Sequence, residues 1–139
     1  MEPFSVRITV RGYETDAQGH LNQSVYLQYA EHARWTMLER AGIRQQDMLK
    51  AGVGPVALEN TVRYQRELRA GDEVDIRCGF AWGTGRSFRV EQVFWRPDGI
   101  QAAEVHGVVA VFDLAERQLV TDPRAALREL ATEPDVLGL

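Results

Sequence analysis

The densest set of chemistry-bearing side chains lies in Tyr13-Glu14-Thr15-Asp16-Ala17-Gln18-Gly19-His20-Leu21-Asn22-Gln23-Ser24. Asp16, His20 and Asn22 fall close together there, with Gly19 among them. A carboxylate just ahead of a helix can serve an acyl carbonyl in two ways, as a base towards water or as a nucleophile. The helix start supplies unpaired N–H groups and the positive end of its dipole, which stabilise a developing oxyanion. Asp, Asn, Gly and His also recur in plain turns and caps, so residue type alone leaves both roles open.

The flanking elements must position this segment. Phe4, Val6, Ile8 and Val10 alternate with Ser5, Arg7 and Thr9, the period of a strand with one buried face. Ser24 to Ala41 has a helical period: Tyr26, Ala30, Ala33, Met37 and Ala41 recur at three- and four-residue steps. Asn22 or Ser24 can cap its start, and Gly42 is a natural stop. Small alanines on the inner face let a curved sheet approach the helix axis.

After a connector at Gly52-Val53-Gly54-Pro55, strand periodicity returns. Val56, Leu58, Val62 and Tyr64 share a phase that Asn60 interrupts. Val74, Ile76, Cys78, Phe80 and Trp82 form the next strand, and Gly83-Thr84-Gly85 predicts a hairpin turn. Ser87 to Trp95, a turn at Pro97-Asp98-Gly99, and Ala102 to Phe112 follow. Asp122-Pro123 predicts the capped start of a short helix reaching about Leu130, with a loose tail after it. One strand, one long helix and four turn-linked strands imply an α+β fold, an antiparallel sheet packed on one helix. A single helix covers one sheet face, so an edge strand or the other face calls for a partner subunit.

The chain has 139 residues, a length suited to one domain over residues 1–139. Its net charge of -4 disfavours nucleic acid and anionic membranes as partners. Cys78 is the only cysteine, so no intramolecular disulfide can form, which suits a reducing compartment. Met1-Glu2-Pro3-Phe4 lacks the basic-then-apolar pattern of a signal peptide, and no window has the length of a membrane span. The expected location is the cytoplasm. His106 has no ligand partner at zinc spacing, and Cys78 falls in the apolar phase of its strand, where an inert buried thiol is expected. Trp35, Phe80, Trp82, Phe88 and Phe94 suit a core, or for some of them an aromatic acyl pocket.

Residues 13–27, continued by Glu31, Ala33 and Arg34, resemble the signature of the 4-hydroxybenzoyl-CoA thioesterase group, acyl-CoA thioesterases of the hotdog fold. Gly71-Asp72 and Gly85-Arg86-Ser87, each before a strand, are also similar to that group. The resemblance implies a curved antiparallel sheet wrapped around one long central helix. It also implies hydrolysis of an acyl thioester, on coenzyme A or an acyl-carrier protein. Asp16 is then the catalytic carboxylate, as nucleophile or general base. Backbone N–H groups around Gln23 and Ser24 polarise the carbonyl. Gly19 lets the backbone approach the thioester, His20 and Asn22 line the site or hold the loop, and Tyr26 anchors the helix. Gln23 departs from the group, which often has asparagine there. A thiol leaving group, with a pKa near ~8.5, departs without strong acid help, so no metal or organic cofactor is implied.

Three further positions are candidates for a second carboxylate or a pocket wall: Glu31, Glu59 and Asn60. Glu31 also suits a solvated or ion-paired role. Arg63, Arg66, Arg69, Arg86, Arg89, Arg124 and Arg128 include candidates for coenzyme A phosphate contacts, with Arg86 foremost. The expected assembly is a homodimer or homotetramer, with sites between one subunit's Asp16 loop and the other's sheet. Two alternatives stand beside the acyl-CoA reading: an enzyme dedicated to acyl-carrier-protein thioesters, and a non-catalytic acyl-binding hotdog protein.

Overall fold

A computed structural model describes residues 3–139; Met1 and Glu2, part of the N-terminus read above, lie outside the described residues. Strand β1 (Phe4–Thr9) leads through a 3-10 turn at Gly12–Glu14 to helix α1 (Gln23–Arg40). A short helix α2 (Gln45–Lys50) precedes strands β2 (Val53–Tyr64), β3 (Glu73–Ala81), β4 (Ser87–Trp95), β5 (Gln101–Asp113) and the two-residue β6 (Gln118–Leu119). Helix α3 (Pro123–Leu130) and a 3-10 turn at Pro134–Leu137 end the chain. The sheet is antiparallel, in the order β1-β3-β4-β5-β2, with β6 also on β5.

Helix α1 forms where its period requires. Tyr26, Ala30, Ala33, Met37 and Ala41 are all buried against the sheet. Ala30 and Ala33 allow close approach, and Gln92 of β4, itself buried, donates from Nε2 to the Ala30 carbonyl at 2.7 Å. That bond stitches the helix to the sheet and satisfies a buried polar group. Met37 and Phe94 are fully buried, each contributing roughly 1.5–3 kcal/mol by transfer from water. The helix ends as Gly42 predicts. Gly42 N–H donates to Glu39 and Ile43 N–H to Leu38, the paired bonds of a Schellman motif. Gly42 has φ +93, and a Cβ there would stand 2.0 Å from Thr132 Oγ1, so no side chain fits.

Four expectations need correction. First, α1 is the one long helix and α3 follows where Asp122-Pro123 predicts it, but a further short helix, α2, lies between α1 and β2. Helix α2 has too few residues to show a period; it is nucleated by Asp47, whose carboxylate accepts from Arg44 N–H at 2.9 Å. Second, β2 does not keep one phase. A bulge between Ala57 and Glu59 shifts its register. Pro55 and Ala57 lie opposite Val111 and Val109, whereas Asn60, Val62 and Tyr64 lie opposite Gly107, Val105 and Ala103. Asn60 therefore belongs to the phase of Val62 and Tyr64, and Val56 does not. Third, β3 and β4 form the hairpin predicted at Gly83-Thr84-Gly85, but its connection is longer than those three residues, a five-residue bend over 82–86. Fourth, the tail is not loose: Leu137 is buried, and its carbonyl accepts a 2.7 Å bond from Trp82 Nε1.

Among the described residues, strand β2 pairs only with β5, so its other edge is open along its length. Leu58 and Tyr64 on this strand are each about half exposed, at 51% and 52%. No helix among the described residues is long and apolar enough to cross a membrane.

Candidate active site

The loop between β1 and α1 is held from several sides before any chemistry is asked of it. Thr15 Oγ1 donates to the Gly12 carbonyl at 2.7 Å, closing the 3-10 turn. Glu14 accepts from Arg11 N–H at 2.9 Å and from the Tyr29 hydroxyl at 2.5 Å, tying the turn to α1. Burial pushes the Glu14 carboxyl up, but the bonds from Tyr29 and Arg11 outweigh it and hold the group below its ordinary value. Leu21, buried, donates its N–H to the Leu68 carbonyl at 2.6 Å, and His20 forms a bridge with Arg69.

Asp16 sits at the head of a tight turn. Its Oδ1 accepts from Gln18 N–H at 2.9 Å and from His20 N–H at 3.2 Å, while its own N–H donates to the His20 carbonyl at 2.8 Å. Gly19 closes the turn with φ +79, donating to the Asp16 carbonyl at 3.0 Å. Gly19 is thus needed for its left-handed backbone. One carboxylate oxygen is fixed by backbone amides, and Oδ2 has no partner among the described residues.

The start of α1 follows. Asn22 is the N-cap: its Oδ1 accepts from Ser24 N–H at 3.0 Å and from Ser24 Oγ at 2.9 Å. Of the two amides expected to polarise a carbonyl, Ser24 N–H is therefore already engaged in the cap. Gln23 N–H has no acceptor among the described residues. Tyr26 is buried, edge-on to Tyr64 at 4.9 Å and tilted against Phe94 at 5.6 Å. Its pKa is pushed up to about 12, first by burial, then by Tyr64 and Asp16, so the phenol stays neutral.

Asp16, His20, Asn22, Gln23 and Tyr26 line one open pocket of about 420 Å³. Its far wall comes from the end of β2 and the loop after it: Tyr64, Gln65, Arg66 and Glu67. Glu67 Oε2 stands 2.6 Å from His20 Nε2, an ion pair when the ring is protonated. A hydrogen bond from Arg69 holds the Glu67 carboxyl below its usual range, and His20 adds to that. Tyr64 and Glu67 had no site role in the sequence reading. Tyr64 is 41 positions from Gln23, whose carbonyl its hydroxyl reaches, and Glu67 is far along the chain from His20, so no local pattern could pair them.

The other candidates fall elsewhere. Glu31 lines a second cavity, of about 250 Å³, between α1 and the sheet. Asn60 and Glu59 line neither cavity; Asn60 Oδ1 occupies the space beside Gly107, 3.0 Å from where a Cβ would stand. Arg86 lies exposed in the bend before β4 and lines neither cavity, whereas Arg66 lines the Asp16 pocket. Cys78 is buried with its pKa pushed up to about 12, as an inert thiol requires. Phe94 is core; Phe88, also buried, faces the second cavity together with Trp35 and Phe80. His106 lies between the carboxylates of Glu91 and Glu104.

Set against known proteins, this fold and loop define a class. The model of the Thioesterase-like superfamily matches residues 10–132, and the chain belongs to that superfamily. It is 29% identical over 112 residues to the long-chain acyl-CoA thioesterase FadM of Escherichia coli, covering 80% of this chain and 84% of that protein. It is also 29% identical over 114 residues to the chloroplastic acyl-acyl carrier protein thioesterase ATL3 of Arabidopsis thaliana. That match covers 81% of this chain but only 60% of ATL3. The crystal structure of YbaW, a probable thioesterase from Escherichia coli, superposes with a TM-score of 0.82 at 28% identity, covering 96% of this chain and 98% of that one. The architecture is the hotdog thioesterase fold.

Proposed function

We propose that the protein hydrolyses acyl-CoA thioesters to a free acid and a thiol, with Asp16 as the catalytic carboxylate. The observation that carries this is the fixed Asp16 turn opening onto the free Gln23 amide at the start of α1. The thioester carbonyl sits with its oxygen on Gln23 N–H, and the helix dipole favours the charge that develops there. Asp16 Oδ2 then either takes a proton from an attacking water or attacks the carbonyl carbon itself. In both routes the C–S bond breaks and the thiolate leaves; on the nucleophilic route the acyl group passes to Asp16 Oδ2, and water then cleaves that anhydride to give the free acid and restore the carboxylate. His20, aligned by Glu67, borders the pocket and can hydrogen-bond the departing sulfur.

Asp16 is exposed in the single chain, and water-exposed carboxylates are weak catalysts. The open edge of β2 supplies the remedy. Antiparallel pairing of β2 with the β2 of a second copy sets the Tyr64 end of one strand beside the Pro55 end of the other. A homodimer, alone or within a tetramer, then brings the second cavity of one copy against the Asp16 pocket of its partner. The cavity takes the acyl chain.

Similarity to both FadM and ATL3 keeps two carriers in play, coenzyme A and an acyl-carrier protein. Coenzyme A is favoured by Arg66, a guanidinium in the pocket wall whose only hydrogen bond among the described residues is to the neighbouring Gln65 carbonyl. The test is thiol release from matched acyl-CoA and acyl-carrier-protein panels of short, long and aromatic acyl groups. Turnover of the CoA esters supports the reading. Turnover confined to the carrier-protein esters moves the assignment there. Tight acyl-CoA binding with no turnover on either panel makes the protein a non-catalytic acyl binder.

A further inference from the structure

The deep wall of the cavity between α1 and the sheet is apolar. Val90, Val111 and Met48 are buried in its wall, and the exposed Glu31, Gln45 and Pro55 stand at its rim. Among them lies Arg34, whose side chain is only 18% exposed. Its guanidinium forms no hydrogen bond among the described residues. The one opposite charge near it, Glu31 at 3.8 Å, lies beyond hydrogen-bond length and is itself 67% exposed. Burial draws the Arg34 pKa below the ordinary arginine value, with Glu31 and Cys78 acting the other way. A cation held out of water with its donors unused is costly.

We propose that Arg34 receives the far end of the acyl group, and that this end is a carboxylate: the cavity selects acyl chains carrying a terminal acid. This rests on the thioesterase reading and names its substrate class. The fork of the guanidinium matches a carboxylate with two parallel hydrogen bonds, and the low-polarity wall strengthens them. The cavity holds about 250 Å³. At roughly 30 Å³ for a water-sized group it has room for about eight such groups, a medium-length chain with its end group. Arg34 lies roughly 16 Å along α1 from Gln23, too far for one chain's cavity to serve its own Asp16 with so short an acyl group. The β2-paired second copy supplies the Asp16 pocket instead. Glu31, at the rim and exposed, can turn to solvent when the acid enters.

The test compares octanoyl-CoA with its ω-carboxylated counterpart on wild type, Arg34→Met and Arg34→Lys, alongside direct binding of the free diacid and free octanoate. Wild type is expected to favour the ω-carboxylated ester by roughly tenfold or more in kcat/KM. Arg34→Met reverses the preference, and Arg34→Lys, with charge but no fork, falls between. The free diacid binds wild type more tightly than octanoate and loses that advantage in Arg34→Met. Thermal unfolding checks that the variants fold; Met fills similar space and removes a buried charge, so its midpoint is expected to hold or rise. A preference that ignores Arg34, or a diacid bound no better than octanoate, overturns the proposal. If no ester is hydrolysed but diacid binding still depends on Arg34, the hydrolytic reading fails and the carboxylate site stands.

Discussion

The Tyr64 hydroxyl donates a 3.1 Å hydrogen bond to the Gln23 carbonyl, joining the last residue of β2 to the first residue of α1. The bond fixes the helix start, which carries the unpaired Gln23 amide, to the strand whose outer edge is open among the described residues.

Tyr64→Phe removes that bond and keeps the ring that packs on Tyr26. A neutral hydrogen bond contributes about 0.5–1.5 kcal/mol, so kcat/KM should fall roughly 2- to 12-fold. Half exposure of Tyr64 limits the cost in stability, and the thermal midpoint should change little. Steady-state kinetics beside a melting curve check the split; a large loss of stability with unchanged kcat/KM would make the bond purely structural.

Asn22→Ala removes the N-cap of α1. The cost expected is about 1 kcal/mol of stability. It also frees Ser24 N–H and loosens the helix start, so activity should fall with it. Asn22→Asp, which retains an accepting oxygen at the cap, should recover most of the stability. Urea unfolding of the three proteins reads this directly.

Gly19→Ala tests the Asp16 turn. Nothing lies within 4 Å of the added methyl, so the whole cost comes from the left-handed backbone, about 1–2 kcal/mol. Gly19→Asn should cost less, because asparagine tolerates that region. Activity should fall more than stability in Gly19→Ala, since the Gln18 and His20 amides that fix Asp16 Oδ1 move with the turn.

Legibility in the sequence followed the reach of each signal. The α1 period placed five buried residues correctly, and Gly42 marked the stop, because both are local. Alternation gave β3, where Val74, Ile76 and Cys78 are buried in phase. Alternation failed in β2 because the Leu58 bulge shifts the register halfway along an edge strand, and a constant period cannot report a shift. At the site, residues 13–24 were legible as one contiguous segment. Its opposite wall was not, because Tyr64 and Glu67 arrive through sheet topology. The buried Leu68 between Glu67 and Arg69 was the available clue: one apolar residue in a charged run marks where the loop docks.

His106 offers a pH test away from the site. Hydrogen bonds to Glu91 and then Glu104 raise its pKa above the ordinary 6.5; Arg89 stands near Glu91, and Gln101 and Arg63 near Glu104. A raised folded pKa stabilises the fold fully below 6.5, and the contribution is lost as pH rises through the folded value. The bond to His106, first among its causes, holds Glu104 below 4.5, so its share is present above 4.5 and lost as pH falls. The midpoint difference between wild type and His106→Gln should therefore peak near about pH 5–6 and shrink by about pH 8. The side chain is 40% exposed, so the difference should stay under about 1 kcal/mol. A difference that grows with pH would contradict the assignment.

The most direct measurement of the central claim is acyl-CoA hydrolysis by wild type and Asp16→Asn, followed by free-thiol release at saturating substrate, with acyl-CoA affinity measured on both proteins. Asparagine keeps the shape and can still accept the Gln18 and His20 amides, but it can neither take a proton nor attack. The account predicts a fall in kcat of about 10²-fold or more with affinity little changed. A variant that turns over as fast as wild type would remove Asp16 from the chemistry and contradict the account.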